Sequence, residues 1–356
     1  MEHPPTLKDI ARNLNLSIGT VQRALNNKGG YSKETQQLVL QEAKRCGYTA
    51  NPAASALRRP PINLAAVFPS PVEDNRYFFQ YIWKGIEKAC QDLAVYNIKM
   101  IPYYADLDPG AAASKLNSIL ADTKQPIQGL ITTASGDPGF LSALDNFSRN
   151  GIPAFLINSV STDQRPLCFY SNASRGVGTL SADIFAAIHR NTSGKLLLLG
   201  GMRENERQAA RVSDFVHQLS DSCPDLSVLE THIYDNHLRL RSLIADYLRN
   251  FDDLAGIYAV SARETLAMCE AVHESHFSGK ITAVGTDVFP ELLPYFEDDT
   301  LTASIYQYPA QQAYAAVKTL VSYLTRSGLP DHFISIPSAA VFKSNAKEFC
   351  ELDFLV

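Results

Sequence analysis

Apolar residues recur at a helical period through the first sixty positions and in short runs thereafter, and the change falls at Ile62. Leu7, Ile10, Ala11 and Leu14 follow the i, i+3, i+4, i+7 pattern of one helix face, with Thr6 placed to cap it and Asp9 in its first turn. A second stripe, Ile18, Val21, Ala24 and Leu25, starts after Ser17, another capping residue. The link Asn15-Leu16 is short enough for a helix-turn-helix, with Leu16 as the buried residue of the turn. A third helix opens at Ser32, places Thr35, Leu38, Val39, Glu42 and Ala43 along one side, and stops at Gly47. Asn51-Pro52 then opens a segment of about two turns ending at Leu57, too short to be helical alone in water, before Pro60-Pro61 stops it.

From Ile62 onward the alternation of apolar runs with helical stretches predicts βαβ units and parallel sheet. Strands are expected at 63–68, 98–103, 129–133, 154–157, 196–200, 227–233, 256–259 and 282–285. Helices are expected near 78–95, 110–122, 138–149, 174–190, 206–220, 238–249, 264–275 and 309–326. Eight such repeats suit two doubly wound lobes with a cleft between them. Ligands in such sheets sit beyond the carboxyl ends of the strands. The fold class expected is therefore an all-α helix-turn-helix head with a hinge helix, followed by a two-lobed α/β core of two doubly wound parallel sheets.

Charge divides the chain at the same place. Residues 1–60 hold nine Lys or Arg against four acids, so a head of +5 precedes a body of −10 within a net charge of −5. A basic head on an acidic body fits attraction to phosphate, although a solvated basic face has the same charge. The second helix of a helix-turn-helix presents its N-terminal residues to base edges in the major groove, which points to Ile18, Gly19, Gln22 and Arg23. Gln22 suits adenine and Arg23 guanine, both bidentate. Thr6, Ser17, Thr20, Asn26 and Ser32 are short polar groups suited to phosphate, and helix capping accounts for the Ser and Thr residues equally well. Leu57 can serve as an apolar wedge in the minor groove, or its segment can be an ordinary linker.

The remaining composition narrows the class. With 46% hydrophobic residues among 356, the chain is globular, and no apolar run approaches the ~18–20 residues of a membrane span. The start, Met1-Glu2-His3-Pro4-Pro5, does not read as a secretory signal, and six dispersed cysteines without a CxxC pair read as reduced, so a cytoplasmic location is expected. No GxSxG occurs, and Gly176-Val177-Gly178 lacks the third glycine of a dinucleotide loop. His273 and His276, i and i+3 on an expected helix, have no further metal ligands nearby. No enzyme activity, cofactor or metal is expected.

The head carries a denser signal. Thr6-Leu7-Lys8-Asp9-Ile10-Ala11, Leu16-Ser17-x-Gly19-Thr20-Val21-x-Arg23-Ala24-Leu25-Asn26, Ser32-x-x-Thr35, Gly47-Tyr48-x-x-Asn51 and Ala54-x-x-Leu57 resemble the lactose repressor family of transcription regulators. The resemblance implies a recognition helix at about 17–26, a minor-groove hinge leucine at Leu57, and a homodimer on a partly palindromic double-stranded DNA operator. Ile18 and Gly19 stand where many members place larger polar side chains, and Gln22 where Ser is common.

The body resembles, more loosely, the type I periplasmic-binding-protein core that this family carries as its effector domain. The matching stretches are Phe78-Phe79-x5-Gly85-Ile86, Asp253-Leu254-x-Gly256-Ile257-Tyr258, Val284-Gly285-x-Asp287 and Ala303-x-x-x-Gln307-x-Pro309. By resemblance Phe78 and Phe79 sandwich a sugar ring, Asp287 and Gln307 bind hydroxyls, Arg211 holds the ligand from the second lobe, and Ser261 stands where ribose-binding relatives have Asn. Asp214 and Asn172 replace a usual Gly and Asp. The expected organisation is a DNA-binding domain at 1–50, a hinge at 51–61, and an effector and dimerisation domain at 62–356. Its first lobe takes 62–160 and 305–328, and its second takes 161–304 and 329–356. The reading is a repressor governed by a small carbohydrate-like effector. The alternative is a sugar-binding protein or sensing module without direct gene control.

Overall fold

The computed structural model describes residues 5–25, 29–48, 60–105, 110–133, 135, 138–158, 167–172, 176–233, 236–325 and 333–351. The head comprises α1 (Leu7–Asn13), α2 (Ile18–Leu25) and α3 (Lys33–Arg45). Ile10, Ala11, Val21, Ala24, Val39 and Ala43 bury together, with Leu16 and Tyr48 packed against them. Six small and medium side chains make a thin core, and a polar tie supplements it. Glu42 accepts Asn13 Nδ2 at 2.7 Å and both Nε and Nη2 of Arg45 at 2.6 Å, which joins the end of α1 to α3. Leu38, expected on the inner side of α3, is instead 54% exposed. The buried stripe runs through Val39, Glu42 and Ala43, and Leu38 lies about 100° around the helix from Val39.

The body is two six-stranded sheets. The first has the order β11-β5-β4-β3-β1-β2, from β1 (Ile62–Phe68), β2 (Ile98–Tyr104), β3 (Gly129–Thr133), β4 (Ala154–Ile157), β5 (Cys168–Asn172) and β11 (Phe333–Ser335), all parallel. The second has the order β12-β10-β9-β8-β6-β7, from β6 (Gly194–Leu199), β7 (Leu226–Thr231), β8 (Leu254–Ala259), β9 (Thr282–Thr286), β10 (Ala303–Tyr306) and β12 (Ala339–Val341), with only β12 antiparallel.

Alternation along each strand sorts side chains to the two faces. On β1, Leu64, Ala66 and Phe68 face α4 (Arg76–Asp92) and α12 (Pro309–Thr325). Ala65 and Val67 face α5 (Ala111–Ala121) and α6 (Pro138–Arg149). On β6, Leu196 and Leu198 meet α7 (Val177–His189) and α8 (Glu206–Ser222). Leu197 and Leu199 meet α9 (His237–Asn250) and α10 (Ala262–Glu274). Two short helices, α11 (Leu293–Glu297) and α13 (Ala346–Glu351), complete the second lobe.

Four strands escaped the sequence reading: β5, β10, β11 and β12. Three- to five-residue strands are shorter than a period-2 pattern needs to stand out, and β11 and β12 are separated by Pro337. The omission displaced the lobe boundaries. The strand at 168–172 and that at 333–335 pair in the first sheet, not the second, and the whole of 303–306 pairs in the second. The expected helix joining His273 and His276 ends at Glu274. His276 lies beyond it with φ 59°, and His273 Nδ1 is 2.6 Å from Asp298 Oδ2.

Candidate functional site

In the head the short hydroxyls act first as caps. Thr6 donates through N–H and Oγ to Asp9 Oδ2 at 2.9 and 2.6 Å, which holds that carboxyl below its ordinary pKa. Ser17 Oγ accepts the Thr20 N–H at 3.0 Å and shares a hydrogen bond with Thr20 Oγ1 at 2.8 Å. Ser32 Oγ accepts the Thr35 N–H at 3.2 Å. The outward face of α2 carries Ile18, Gly19, Gln22 and Arg23, all exposed, over buried Val21 and Ala24. Thr6, Ser17 and Ser32 are exposed and Thr20 is half-buried, while Asn26 and Leu57 lie outside the described residues. Glu42, bound by Arg45 and Asn13, is held down to about 2, and Lys8, Lys33 and Lys44 stand exposed. The head turns carboxylates to internal bonds and presents cations and short polar groups outward.

A second concentration of polar groups lies between the lobes, at the carboxyl ends of the strands. Asn158 follows β4 with φ 51° and Asp287 follows β9 with φ 67°. Ser261 follows β8 as the cap of α10, and Gln307 follows β10 where the chain returns to the first lobe. Arg211 comes from α8. Its position requires α7 and α8 to approach closely, and Gly178 permits this: a Cβ there would lie 2.3 Å from the Arg211 carbonyl oxygen. The glycine of the failed dinucleotide pattern is thus a helix-crossing residue.

All six residues expected to contact an effector, Phe78, Phe79, Arg211, Ser261, Asp287 and Gln307, line one cleft. The sequence reading missed Asp74, Asn75, Asn158, Asn205, Arg207, Gln208 and Ala262 on the same walls, which also hold Arg263, a residue just after the 256–259 strand. Asn158 was findable from the post-strand rule. Arg207 lies one helical turn before Arg211, on the same face of α8. Asp74 offered no signal, because its partner Arg263, 2.9 Å away, is remote in sequence.

Gln307 is the hub. Its Oε1 accepts from Arg211 Nη2 and, at 3.4 Å, from Asn158 Nδ2, and its Nε2 donates to Asp287 Oδ2 at 2.8 Å. Arg211 Nη1 also donates to the Val260 carbonyl at 2.8 Å. Gln312 fixes the hub from behind, donating to the Gln307 carbonyl and accepting the Asn158 N–H at 2.8 and 2.9 Å. Two buried atoms in this network have no partner among the described residues, Arg211 Nε and Asp287 Oδ1. A buried unsatisfied donor or acceptor costs about 1–3 kcal/mol, so a molecule supplying both partners is favoured. Burial raises Asp287 to about 6 against the opposing influence of Arg211 and Gln307, and lowers Arg211 from its ordinary value.

The aromatic pair differs from expectation. Phe78 and Phe79 meet edge to face, with centroids 5.3 Å apart and planes at 90°, and Phe79 packs into the first-lobe core. Neighbouring helical residues point about 100° apart, so they do not form two parallel faces around a ring. Phe78 keeps a partly buried face on the cleft beside the more deeply buried Phe79.

Contacts join the lobes around the cleft. Arg207 Nη1 donates to Thr133 Oγ1 at 2.7 Å, and Arg76 lies 3.4 Å from Glu291. Tyr77 stacks on Phe289 with centroids 4.5 Å apart. Among the described residues, no group of three or more His, Cys, Asp or Glu is placed to hold a metal, and no helix is long and apolar enough to cross a membrane.

Comparison with known proteins agrees with this architecture. HTH-type transcriptional regulator DegA of Bacillus subtilis is 29% identical over 154 residues, 43% of each chain. HTH-type transcriptional regulator GalS of Salmonella typhimurium is 33% identical over 86 residues, 24% of this chain and 25% of that protein. The matched stretch therefore spans less than half the length of these curated relatives. Among solved structures, a Bacteroides fragilis chain described as a LacI transcriptional regulator superposes with TM-score 0.73 at 18% identity, covering 81% of this chain and 99% of that one. GanP, a glucose-galactose binding protein from Geobacillus stearothermophilus, superposes with TM-score 0.68 at 18% identity over 81% and 99%. The family model for bacterial regulatory proteins of the lacI family matches residues 6–51, and that for the periplasmic binding protein domain matches residues 66–328. The chain belongs to the periplasmic binding protein domain family through its two-lobed body and carries a lacI-family regulatory domain as its head.

Proposed function

We propose that the chain is a DNA-binding transcription repressor whose operator affinity is set by a small carbohydrate-like molecule held between the lobes. The observation that carries this reading is the union, in one chain, of a lacI-family head with an exposed polar recognition face and a cleft where the six expected residues converge. Ile18, Gly19, Gln22 and Arg23 read bases, and Thr6, Ser17, Thr20, Asn26 and Ser32 position the head on phosphates. Leu57 inserts into the minor groove. Arg211, Ser261, Asp287, Gln307 and the face of Phe78 hold the effector. The names of the relatives support regulation, and the glucose-galactose binding protein among the structural neighbours supports a sugar-sized ligand.

The protein works as a cytoplasmic homodimer, with the head at 1–50, the hinge at 51–61 and the two lobes beyond. An effector bridging Asp287 in the second lobe and Asn158 in the first favours the closed cleft, and only its difference in affinity for open and closed forms can shift DNA binding. A duplex is selected from a random library with the full chain, and a panel of D-ribose, D-glucose, D-galactose, D-glucuronate, xylitol and glucose 6-phosphate is screened by thermal shift. A salt-dependent, sequence-selective duplex and a sugar that both raises the melting temperature and changes duplex affinity are expected. Sugar binding without any duplex affinity would favour the sensing module without gene control.

A further inference from the structure

Behind the cleft wall lies a carboxyl group that ligand binding leaves unused. Glu264, in the first turn of α10, is fully buried. Its Oε1 accepts the Gly201 N–H at 2.8 Å, just beyond β6, and its Oε2 lies 2.7 Å from the Ser261 hydroxyl. Ser261 lines the cleft and caps α10 by accepting the Glu264 N–H at 3.4 Å. Both direct partners of the carboxyl are neutral. The charged and titratable groups facing it are Arg263 on its own helix, Arg211 from α8 and Tyr258 from β8, with Asp287 beyond Arg211.

A serine hydroxyl has one proton and two lone pairs. An ionised Glu264 only accepts, so Ser261 gives its proton to Oε2, takes the Glu264 N–H on one lone pair, and shows the other lone pair to the cleft. A proton on Oε2 reverses that bond. Both lone pairs of Ser261 are then filled and its own proton turns to the cleft, while the Gly201 bond to Oε1 survives in either state. We infer that Glu264 is a positioning residue kept protonated by its surroundings, and that it makes Ser261 a hydrogen-bond donor toward the effector. Burial drives the carboxyl up to about 8, the largest influence on it, against the lowering effects of Ser261, Gly201 and the two arginines. At neutral pH the donor form then predominates.

This inference rests on the proposed effector cleft and narrows the ligand class. The matching effector presents an acceptor oxygen to Ser261, and an oxygen with no proton of its own, in a ring ether, a carbonyl or a carboxylate, depends on that donor most. A ligand carboxylate would also be repelled by ionised Glu264, so charge and hydrogen-bond sense act in the same direction.

The test needs no ligand. The full-length chain, labelled with ¹³C at glutamate side-chain carboxyls, is titrated by NMR from about pH 5 to 9, spanning the raised and ordinary ranges. The resonance of Glu264, identified by its loss in Glu264→Gln or, where that variant does not fold, by through-bond assignment, is expected to titrate near 8. Ser261→Ala removes a hydroxyl that bonds the carboxyl in either state, and because the bond to the ionised form is the stronger one, the midpoint should rise further. Ser261→Thr, which keeps the hydroxyl, should restore it. A midpoint near the ordinary 4.5, or one that Ser261→Ala leaves in place, overturns the inference. A midpoint near 8 together with failure of every sugar in the panel would instead sink the effector reading.

Discussion

The head and the cleft use the same acidic residue types in opposite ways. In the head, Glu42 is held down to about 2 by Arg45 and Asn13, and Asp9 is lowered by Thr6. In the cleft, burial raises Asp287 to about 6 and Glu264 to about 8. In the three-helix head each of these acids has bonded partners that favour its charge, Arg45 and Asn13 for Glu42 and Thr6 for Asp9. A ligand site between two thick α/β layers withdraws its acids from water, where neutral forms and unsatisfied atoms await a partner. One region is built to display charge, the other to conceal it.

The sharpest way to break this comparison is to remove the concealed acid. Asp287→Ala takes away an acceptor to Gln307 and the orphaned Oδ1. Truncating a buried, hydrogen-bonded charge costs about 2–5 kcal/mol, so effector affinity should fall by about 30-fold or more while duplex affinity without effector is retained. Calorimetry and fluorescence anisotropy check the two halves. Equal loss in both regions would erase the distinction. Gly178→Ala should follow in size: a Cβ 2.3 Å from the Arg211 carbonyl forces α7 off α8. Overpacking of this kind costs about 1–3 kcal/mol, read by denaturant unfolding, with effector affinity weakened as well. Unchanged stability would show that the helix contact is not tight.

On the display side, Arg23→Ala should lower discrimination among duplexes by about 1–3 kcal/mol, measured as the ratio of selected to random duplex affinity. An unchanged ratio would remove Arg23 from base reading. The smallest effect concerns pH and sharpens the contrast. Glu42, lowered when folded, stabilises the head above its ordinary 4.5, and that contribution is lost as pH falls toward 2. Asp287 and Glu264, raised when folded, bind protons more tightly in the native state. Their region therefore loses stability as pH rises, from 3.8 through about 6 for Asp287 and from 4.5 through about 8 for Glu264. Hydrogen exchange resolved by region should show the head loosening in acid and the cleft loosening as pH climbs toward 8. A common pH trend for both regions would contradict the account.

What could be read from residues alone follows the same division. The head's period, caps and turn lie within a few positions of one another, so local rules found all three helices and the exposed face of α2. Among the described residues of the head they misplaced only Leu38, because an apolar residue at a helix edge resembles one at its centre. In the body, long apolar strands such as β1 and β6 announced themselves, whereas β5, β11 and β12 owe their strand state to pairing with distant segments. Ser261 and Asp287 follow from where α/β sheets bind ligands, whereas Gln307, just after the unrecognised β10, and Arg211 came from the family resemblance. The parallel sandwich of Phe78 and Phe79 did not survive helix geometry. Glu264 passed unnoticed because an acid in the first turn of a helix is ordinary, and only the layers packed over α10 reveal that this one is buried.

The central claim is that the concealed site governs the displayed one. Fluorescence anisotropy of the full-length chain on its selected duplex, with and without the sugar that shifts its melting temperature, tests this directly when wild type and Asp287→Ala are compared. The account predicts that the sugar changes duplex affinity in the wild type and leaves the variant at its sugar-free value. An equal change in both proteins, or none in the wild type, would contradict it.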